Sequence, residues 1–381
     1  MKIRDIFTPD HNIDFDVVKQ NVPEFNLLEK TQQPKDWHAE GDAYIHTMKV
    51  VDEMYRMLKD RCSEDEIGSE VYMVMLAAAL FHDIGKPSCT KFSEEKGDFT
   101  SRNHQYAGER IVRRVFYDED WILREKLCWL VRKHMAPYYI LGGKDPENEV
   151  RRLSWGQADV DMLLSLNMCD SWGSISEKES RAASGERIMK ICNIAESLNC
   201  LDRSCEMSRS EKFGYCTELS DEAKERLDNE NANFTVYIMV GLPGSGKDTW
   251  IKKNIPETTM LCRDNIRTEI GIEGEKPFGT EEQENEVTRI LNERLVECCK
   301  NKQDCVINNT NVSKKRRKEI LDLILPYNPR VVIVYVEAPT LADNVERRKN
   351  QVGKKVIKRM FNSFEFPEFC EYDTLIVNQQ Q

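Results

Sequence analysis

The hydrophobic positions change rhythm shortly before residue 234. Upstream they recur at helical spacing. Downstream they gather into short continuous runs separated by polar, helix-like stretches. In the upstream part, Asp42 is placed to cap a helix on which Ile45, Met48, Val51 and Tyr55 share one stripe, with His46 one residue away. Val71 to Phe81 is apolar almost throughout, and its alanines permit close approach. It predicts a helix buried on nearly all sides and ended by Gly85 and Pro87. Asn103 to Gly108 opens a further helix, and Leu127 to Pro137 ends one at His134. Asp161 to Asp170 is another, with Asp170 seven residues after Leu163 and four after Leu166. That spacing puts Asp170 on the apolar face, where a carboxylate without a cation is costly.

Downstream, Thr235 to Val240, Thr258 to Cys262, Cys305 to Asn308, Val331 to Glu337 and Thr374 to Val377 read as strands between helices. Apolar runs of this kind imply a parallel sheet covered on both faces, with active groups just after strand ends. The expected fold is therefore two domains: an all-α domain over residues 1–210 and an α/β domain with a parallel sheet over 234–381. Residues 211–233, with a polar helix near Ser220 to Glu230, are the expected connector. A chain of 381 residues suits two cores.

Composition adds three constraints. The formal charge of −11 argues against non-specific coating of nucleic acid, although local basic patches can still hold an end. The 13 cysteines form no C-x-x-C pair and no disulfide-like spacing, which fits reduced thiols and a cytoplasmic location. Neither a secretory leader nor an apolar run of membrane-spanning length is expected, so no membrane partner is expected either. All six histidines fall between His11 and His134, so a histidine metal site belongs to the first domain.

The most specific motif runs from Gly241 to Thr249, immediately after the first downstream strand. Gly241, Gly244 and Gly246 allow a tight turn whose N–H groups, with Ser245 and Thr249, surround one anion. Lys247 supplies charge to the outer phosphates, and the following helix adds its positive end. This is a nucleoside triphosphate loop. Position 248 departs from the pattern, because Asp248 stands where a magnesium-binding hydroxyl residue is usual.

In the first domain the order His46, His82-Asp83, His104, His134, Asp170 on helices resembles the HD phosphohydrolase superfamily. The wording from Trp37 to His46 and from Phe81 to Pro87 is particularly similar to the HD domain of bacterial CCA-adding enzymes. The resemblance implies that His46, His82, Asp83 and Asp170 hold one divalent metal. Asp83 then bridges to a second, with His104 and His134 as its ligands. Imidazole and carboxylate ligands suit Mn, Co, Ni, Fe or Zn. Two such ions about 3.5–4 Å apart would clamp a phosphate and activate water. Lys86 is a candidate to neutralise a phosphoryl oxygen, and His38 to act behind the ligands or on substrate.

The second domain resembles 5′-polynucleotide kinases of the phage and bacterial end-healing type. By that match Asp264 is the general base on a 5′-OH. Arg267 grips the acceptor's phosphate, Arg347 or Arg348 is the lid arginine, and Thr310 and Asn311 place the acceptor. The family's aspartate before Thr310-Asn311 is replaced by Asn308 and Asn309, which suggests that the negative charge has moved to Asp248. Two basic stretches suit nucleic-acid phosphates: Lys314 to Lys318, and a cluster from Arg347 to Arg359.

Together the two halves resemble bacterial bifunctional HD-Pnk end-healing enzymes over nearly the whole chain. The resemblance implies removal of a 2′,3′-cyclic or terminal phosphate by the first domain. It implies phosphorylation of a 5′-OH from ATP or another NTP with Mg by the second. RNA or DNA ends are the expected partners, with an RNA ligase downstream and room for a homo-oligomer. Two rival readings use the same residues. One is a nucleotide phosphohydrolase fused to a nucleoside-type kinase. The other makes the first domain a non-catalytic RNA-binding module.

Overall fold

The change of rhythm marks two folding units, Met1–Cys205 and Glu206–Gln381. The computed structural model describes residues 1–272, 279–348 and 352–379, and the backbone but not the side chain of Arg348.

The first unit is helical, apart from an unexpected two-stranded hairpin of β1 (Lys91–Ser93) and β2 (Asp98–Thr100). Its helices start where the sequence places caps. Asp42 accepts from the Ile45 N–H ahead of the Ala43–Arg61 helix, and Ser69 accepts from Tyr72 N–H ahead of Glu70–Phe81. The stripe expected on the first of these is shifted. Val51 of that stripe is buried, but Ile45 is exposed, and the buried face also takes in Ala43, His46, Thr47, Val50, Met54 and Leu58. His46 therefore sits on the packed face rather than beside it.

The Glu70–Phe81 helix is buried nearly all round, from Val74 through Phe81. Gly85 has a different task from the one its sequence suggested. A Cβ there would lie 2.0 Å from the His104 carbonyl oxygen and 2.6 Å from the Gly108 nitrogen. The turn carrying His82 and Asp83 thus rests directly on the backbone of the His104–Val115 helix. A buried ion network ties that helix to Trp121–Lys133. Arg113 donates to Glu109 at 2.9 Å and to Glu125 at 2.6 Å, and Arg124 donates to Glu125 at 3.0 Å. Removing one member of such a network typically costs about 3–5 kcal/mol, because a charge is left buried without its partner.

The second unit is built on a five-stranded parallel sheet in the order β4-β5-β3-β6-β7. The strands are β3 (Thr235–Val240), β4 (Thr259–Leu261), β5 (Cys305–Ile307), β6 (Arg330–Glu337) and β7 (Thr374–Gln379). The sheet places the earliest strand, β3, in the middle. Its neighbours are joined to it from opposite directions, and this opens a crevice at the C-terminal ends of β3 and β5. Residues 211–233, expected as a connector, lie in this unit. Helices Arg209–Gly214 and Asp221–Asn229 pack on the sheet's N-terminal side, and Arg209 donates to both carboxylate oxygens of Asp373 at 2.8 and 2.7 Å. No helix among the described residues is long and apolar enough to cross a membrane, and all 13 cysteines are free thiols.

The Gly85 contact gives a direct stability test. Gly85→Ala is expected to lower unfolding free energy by about 1–3 kcal/mol, the usual cost of overpacking a core against a backbone that cannot yield. Urea unfolding of the full chain measures it, and an effect near zero would contradict the close approach.

Candidate metal centre and phosphate-transfer site

Four histidines and two aspartates of the first unit meet in one buried cluster. His82 and His134 stand just beyond the ends of the Glu70–Phe81 and Trp121–Lys133 helices, and His104 is the first residue of its helix. Each of the three donates its Nδ1 proton to the carbonyl three residues earlier: His82 to Ala79 at 2.8 Å, His104 to Ser101 at 2.7 Å, His134 to Val131 at 2.7 Å. For His82 and His134 that carbonyl lies in the last turn of a helix, where it has no helical N–H partner; for His104 it lies in the turn ahead of the helix. The bond fixes the tautomer and leaves Nε2 with a bare lone pair.

Those lone pairs converge. His46 Nε2 lies 3.3 Å from His82 Nε2, and His104 Nε2 lies 3.1 Å from His134 Nε2. Asp83 divides its carboxylate between the two pairs. Its Oδ2 is 3.2 Å from His82 Nε2, and its Oδ1 is 3.2 Å from His104 and 3.9 Å from His134. Asp170 Oδ1 is 3.0 Å from His46 and 3.6 Å from His82. Two ligand groups result, His46-His82-Asp170 and Asp83-His104-His134, with every residue buried.

This arrangement fits divalent metal. Facing imidazole lone pairs repel unless a cation lies between them, and Asp83 Oδ1 is buried with no hydrogen bond. Ligands about 2.0–2.1 Å from one ion stand roughly 3.0–3.4 Å from each other, close to the separations seen. Electrostatics point the same way. Burial pushes His46 down, but the Asp170 and Glu40 carboxylates overrule it and raise its pKa to about 9. Burial, with His104 and His82 nearby, drives His134 down to about 3. Burial opposes ionisation of Asp83 and Asp170. Lys86 and His82 nevertheless hold Asp83 well below the usual carboxylate range, and His46 does the same for Asp170. Cations are thus shared out among the carboxylates, and a metal ion substitutes for the proton on His46.

Outer contacts brace the ligands. Tyr138 donates to Asp170 Oδ2 at 3.3 Å, and Asn167 donates to the His134 carbonyl at 3.1 Å. Lys86 is buried, with its Nζ 2.6 Å from both Asp83 Oδ2 and Gln33 Oε1. Its ammonium is committed to the bridging carboxylate rather than reaching outward. Glu40 and Gln33 were not singled out from the sequence. The His38-x-Glu40 spacing just ahead of a capped helix was the available signal for Glu40.

In the second unit the phosphate loop turns on Gly241, Gly244 and Gly246, all at positive φ. A Cβ at Gly241 would lie 2.4 Å from the Val336 carbonyl oxygen, so the loop sits directly on β6. Lys247 donates to the loop carbonyls of Gly241 and Leu242, each at 2.9 Å. Ser245 is buried, while Asp248 and Thr249 are exposed at the start of the Lys247–Asn254 helix. Asn308, at the end of β5, donates to Asp248 Oδ1 at 2.6 Å. The carboxylate and its neutral partner therefore face each other across the crevice, with the carboxylate on the loop side.

The acceptor residues are placed unequally. Asp264 stands in the first turn after β4, mostly exposed, and is paired with Arg267 at 2.5 Å. Arg267 also makes a bidentate pair with Glu284 at 2.8 Å on each arm. An acceptor phosphate must therefore compete with Asp264 and Glu284 for this guanidinium. Asn311 is buried and donates to the Met239 carbonyl at 2.8 Å, and the Thr310 carbonyl accepts from Gly241 N–H at 3.0 Å. Both contacts build the loop's floor. Arg347 donates to the Gly244 carbonyl at 3.2 Å, and the Arg348 side chain lies outside the described residues.

The two basic stretches also separate. In Lys314–Lys318, Lys314 pairs with Glu368, Arg316 with Glu319, Lys318 with Asp322, and Arg317 is fully buried against Glu371. That stretch is largely neutralised, contrary to its reading as a phosphate grip. On the Lys354–Asn362 helix, Lys354, Lys355, Lys358 and Arg359 are exposed, while Ile357 and Phe361 face inward.

Comparison with known proteins agrees with this division. Residues 45–161 match the HD domain family, and residues 236–367 match the AAA domain family. The chain joins an HD phosphohydrolase-type domain to a P-loop kinase domain. It is 27% identical over 143 residues to L-seryl-tRNA(Sec) kinase of Methanococcus maripaludis, covering 35% of this chain and 53% of that protein. It is 24% identical over 151 residues to human heterogeneous nuclear ribonucleoprotein U-like protein 2, covering 36% of this chain and 20% of that protein. The chain thus spans about half the length of the first relative and a fifth of the second. Asp170 falls beyond the matched HD segment, although it closes the ligand cluster.

Two outcomes check these sites. Elemental analysis of the manganese-loaded HD–kinase chain is expected to give two ions per chain, none tightly held in Asp83→Ala, and one in His134→Ala. For the loop, Asp248→Asn removes a negative charge beside the bound triphosphate. Calorimetry is expected to show NTP binding without magnesium strengthened about five- to tenfold, the size of one exposed like-charge contact near 1 kcal/mol. The gain on adding magnesium should shrink correspondingly.

Proposed function

We propose that this chain heals nucleic-acid ends. The HD domain removes a 2′,3′-cyclic or terminal 2′- or 3′-phosphate, and the kinase domain phosphorylates a 5′-OH. The observation that carries the polynucleotide part is the exposed basic face of the Lys354–Asn362 helix, which follows the lid arginine in a chain of net charge −11. A mononucleoside kinase has no use for four solvated cations outside its phosphate loop, whereas a polyanionic acceptor extends beyond the crevice and meets them.

In the HD domain, His46, His82, Asp83, Asp170, His104 and His134 hold the divalent ions, of the Mn, Co, Ni, Fe or Zn type. Bound ions supply Lewis-acid chemistry to a phosphate ester. Lys86 keeps Asp83 ionised and oriented, so both of its oxygens remain available as ligands. In the kinase domain, Lys247 leaves the loop carbonyls and follows the outer phosphates of the NTP. Asp248, held by Asn308, would be the carboxylate available to the magnesium that accompanies it. Asp264 takes the proton from the attacking hydroxyl once Arg267 turns to the acceptor phosphate, and Arg347 steadies the transferring phosphoryl group.

Similarity to L-seryl-tRNA(Sec) kinase supports a second reading, in which the accepting hydroxyl is carried on RNA but is not its 5′ end. One experiment separates them. An RNA with a 5′-OH and a 2′,3′-cyclic phosphate is incubated with ATP, Mg and Mn. Lys247→Ala is expected to lose at least a hundredfold of 5′ phosphorylation and to keep 3′ healing. Asp83→Ala is expected to do the reverse. Phosphate transfer to aminoacylated RNA, with none to 5′-OH ends, would overturn the 5′-kinase assignment. An unchanged 3′ end would overturn the assignment of the HD domain.

A further inference from the structure

Three of the four cluster histidines are oriented by a backbone carbonyl, and His46 is not. The reason is its place in the fold. His82 and His134 lie just past helix C-termini and His104 at a helix start, and in each case the carbonyl three residues back accepts the Nδ1 proton. His46 lies inside the first turn of the Ala43–Arg61 helix. The corresponding carbonyl, that of Ala43, accepts from the Thr47 hydroxyl at 2.8 Å and belongs to the helix ladder. His46 therefore needs another partner for Nδ1, and a carboxylate occupies that position.

Glu40 Oε1 lies 3.0 Å from His46 Nδ1, an ion-pair contact off the straight hydrogen-bond line. The same oxygen lies 2.8 Å from His38 Nδ1. Glu40 Oε2 accepts from the Ile175 N–H at 2.7 Å. The Glu40 side chain is fully buried, so these contacts fix its carboxylate in place. A carboxylate behind a ligand imidazole makes Nε2 a stronger donor than a carbonyl does, because it returns a full negative charge to the ring. Among the described residues, the other three histidines have a backbone carbonyl in that place.

We propose that Glu40 is a positioning residue for the ion held by His46, His82 and Asp170, and that it makes this group the tighter of the two. The proposal rests on the two-ion reading of the HD domain. His38 is the outer neighbour on the same carboxylate and holds no metal itself. The alternative, an ion among His38, Glu40 and His46, would need the Nδ1 lone pair of His46. A neutral ring using Nδ1 as ligand carries its proton on Nε2, which is the atom facing His82 and Asp170. One imidazole therefore does not serve both.

The test uses the full chain freed of metal and titrated with Mn against a competing chelator. The wild type is expected to bind two ions of unequal affinity. Glu40→Gln keeps an acceptor oxygen for Ile175 and nearly the same volume. It is expected to weaken the tighter ion roughly 10–100-fold, the usual cost of losing such a partner, and to leave the weaker ion within about threefold. Glu40→Asp retains the charge and is expected to recover part of the loss, which separates charge from packing if Glu40→Gln melts early. His38→Ala is expected to leave both ions near wild type. An unchanged tight ion in Glu40→Gln would overturn the assignment. Equal weakening by His38→Ala, or a third ion in the wild type, would overturn it in favour of a site on the trio. A wild type that binds no ion would overturn the two-ion reading itself.

Discussion

The Asp83 carboxylate is the constraint on which the first unit depends. One oxygen faces His82 and Lys86, and the other faces His104 and His134. A buried carboxylate survives only where cations or donors surround it. The fold supplies them by bringing two helix ends and one helix start to one point. Gly85 is what allows this, since any side chain there would collide with the backbone that carries His104. The Arg113-Glu125-Glu109 network then locks the two helices behind His104 and His134 into one orientation.

The second unit solves a different problem with the same economy. A triphosphate brings concentrated negative charge to a loop of backbone amides. The central position of β3 lets β5 on one side and β6 on the other shape that loop. β6 presses on Gly241 through Val336, and the segment after β5 contributes the Thr310 carbonyl, the Asn311 amide and the Asn308 amide. Asn308, at the end of β5, holds the Asp248 carboxylate at the start of the loop helix. The charge remains in the crevice but stands on the loop helix. Glu284 gathers Arg263 and Arg267 and so ties the Arg263–Glu269 helix to its own.

Motifs with strict local grammar were legible in the sequence. The phosphate loop follows its strand, and the cap at Asp42 starts its helix. Asp170 could be placed on an apolar face by spacing alone. Residues whose role depends on a distant partner were misread. Arg317 reads as one more charge in a basic run and is buried on Glu371, 54 residues away. His46 reads as one residue off its stripe, because Ile45 is apolar yet exposed.

The sequence by itself determined the two-unit layout, the parallel sheet, the triphosphate loop and the set of six metal-type residues. The first three are written in spacing along the chain, through helical or strand periodicity or a contiguous motif, and the six residues are legible through the resemblance of their order to the HD superfamily. Only the tertiary structure decided how the six residues divide into two groups around Asp83, and that Glu40 stands behind His46. It also decided that Asp248 meets Asn308, and which basic helix keeps its charge exposed. Those facts are separations across space between residues from 6 to more than 120 positions apart, set by helix packing and strand order rather than by any local period.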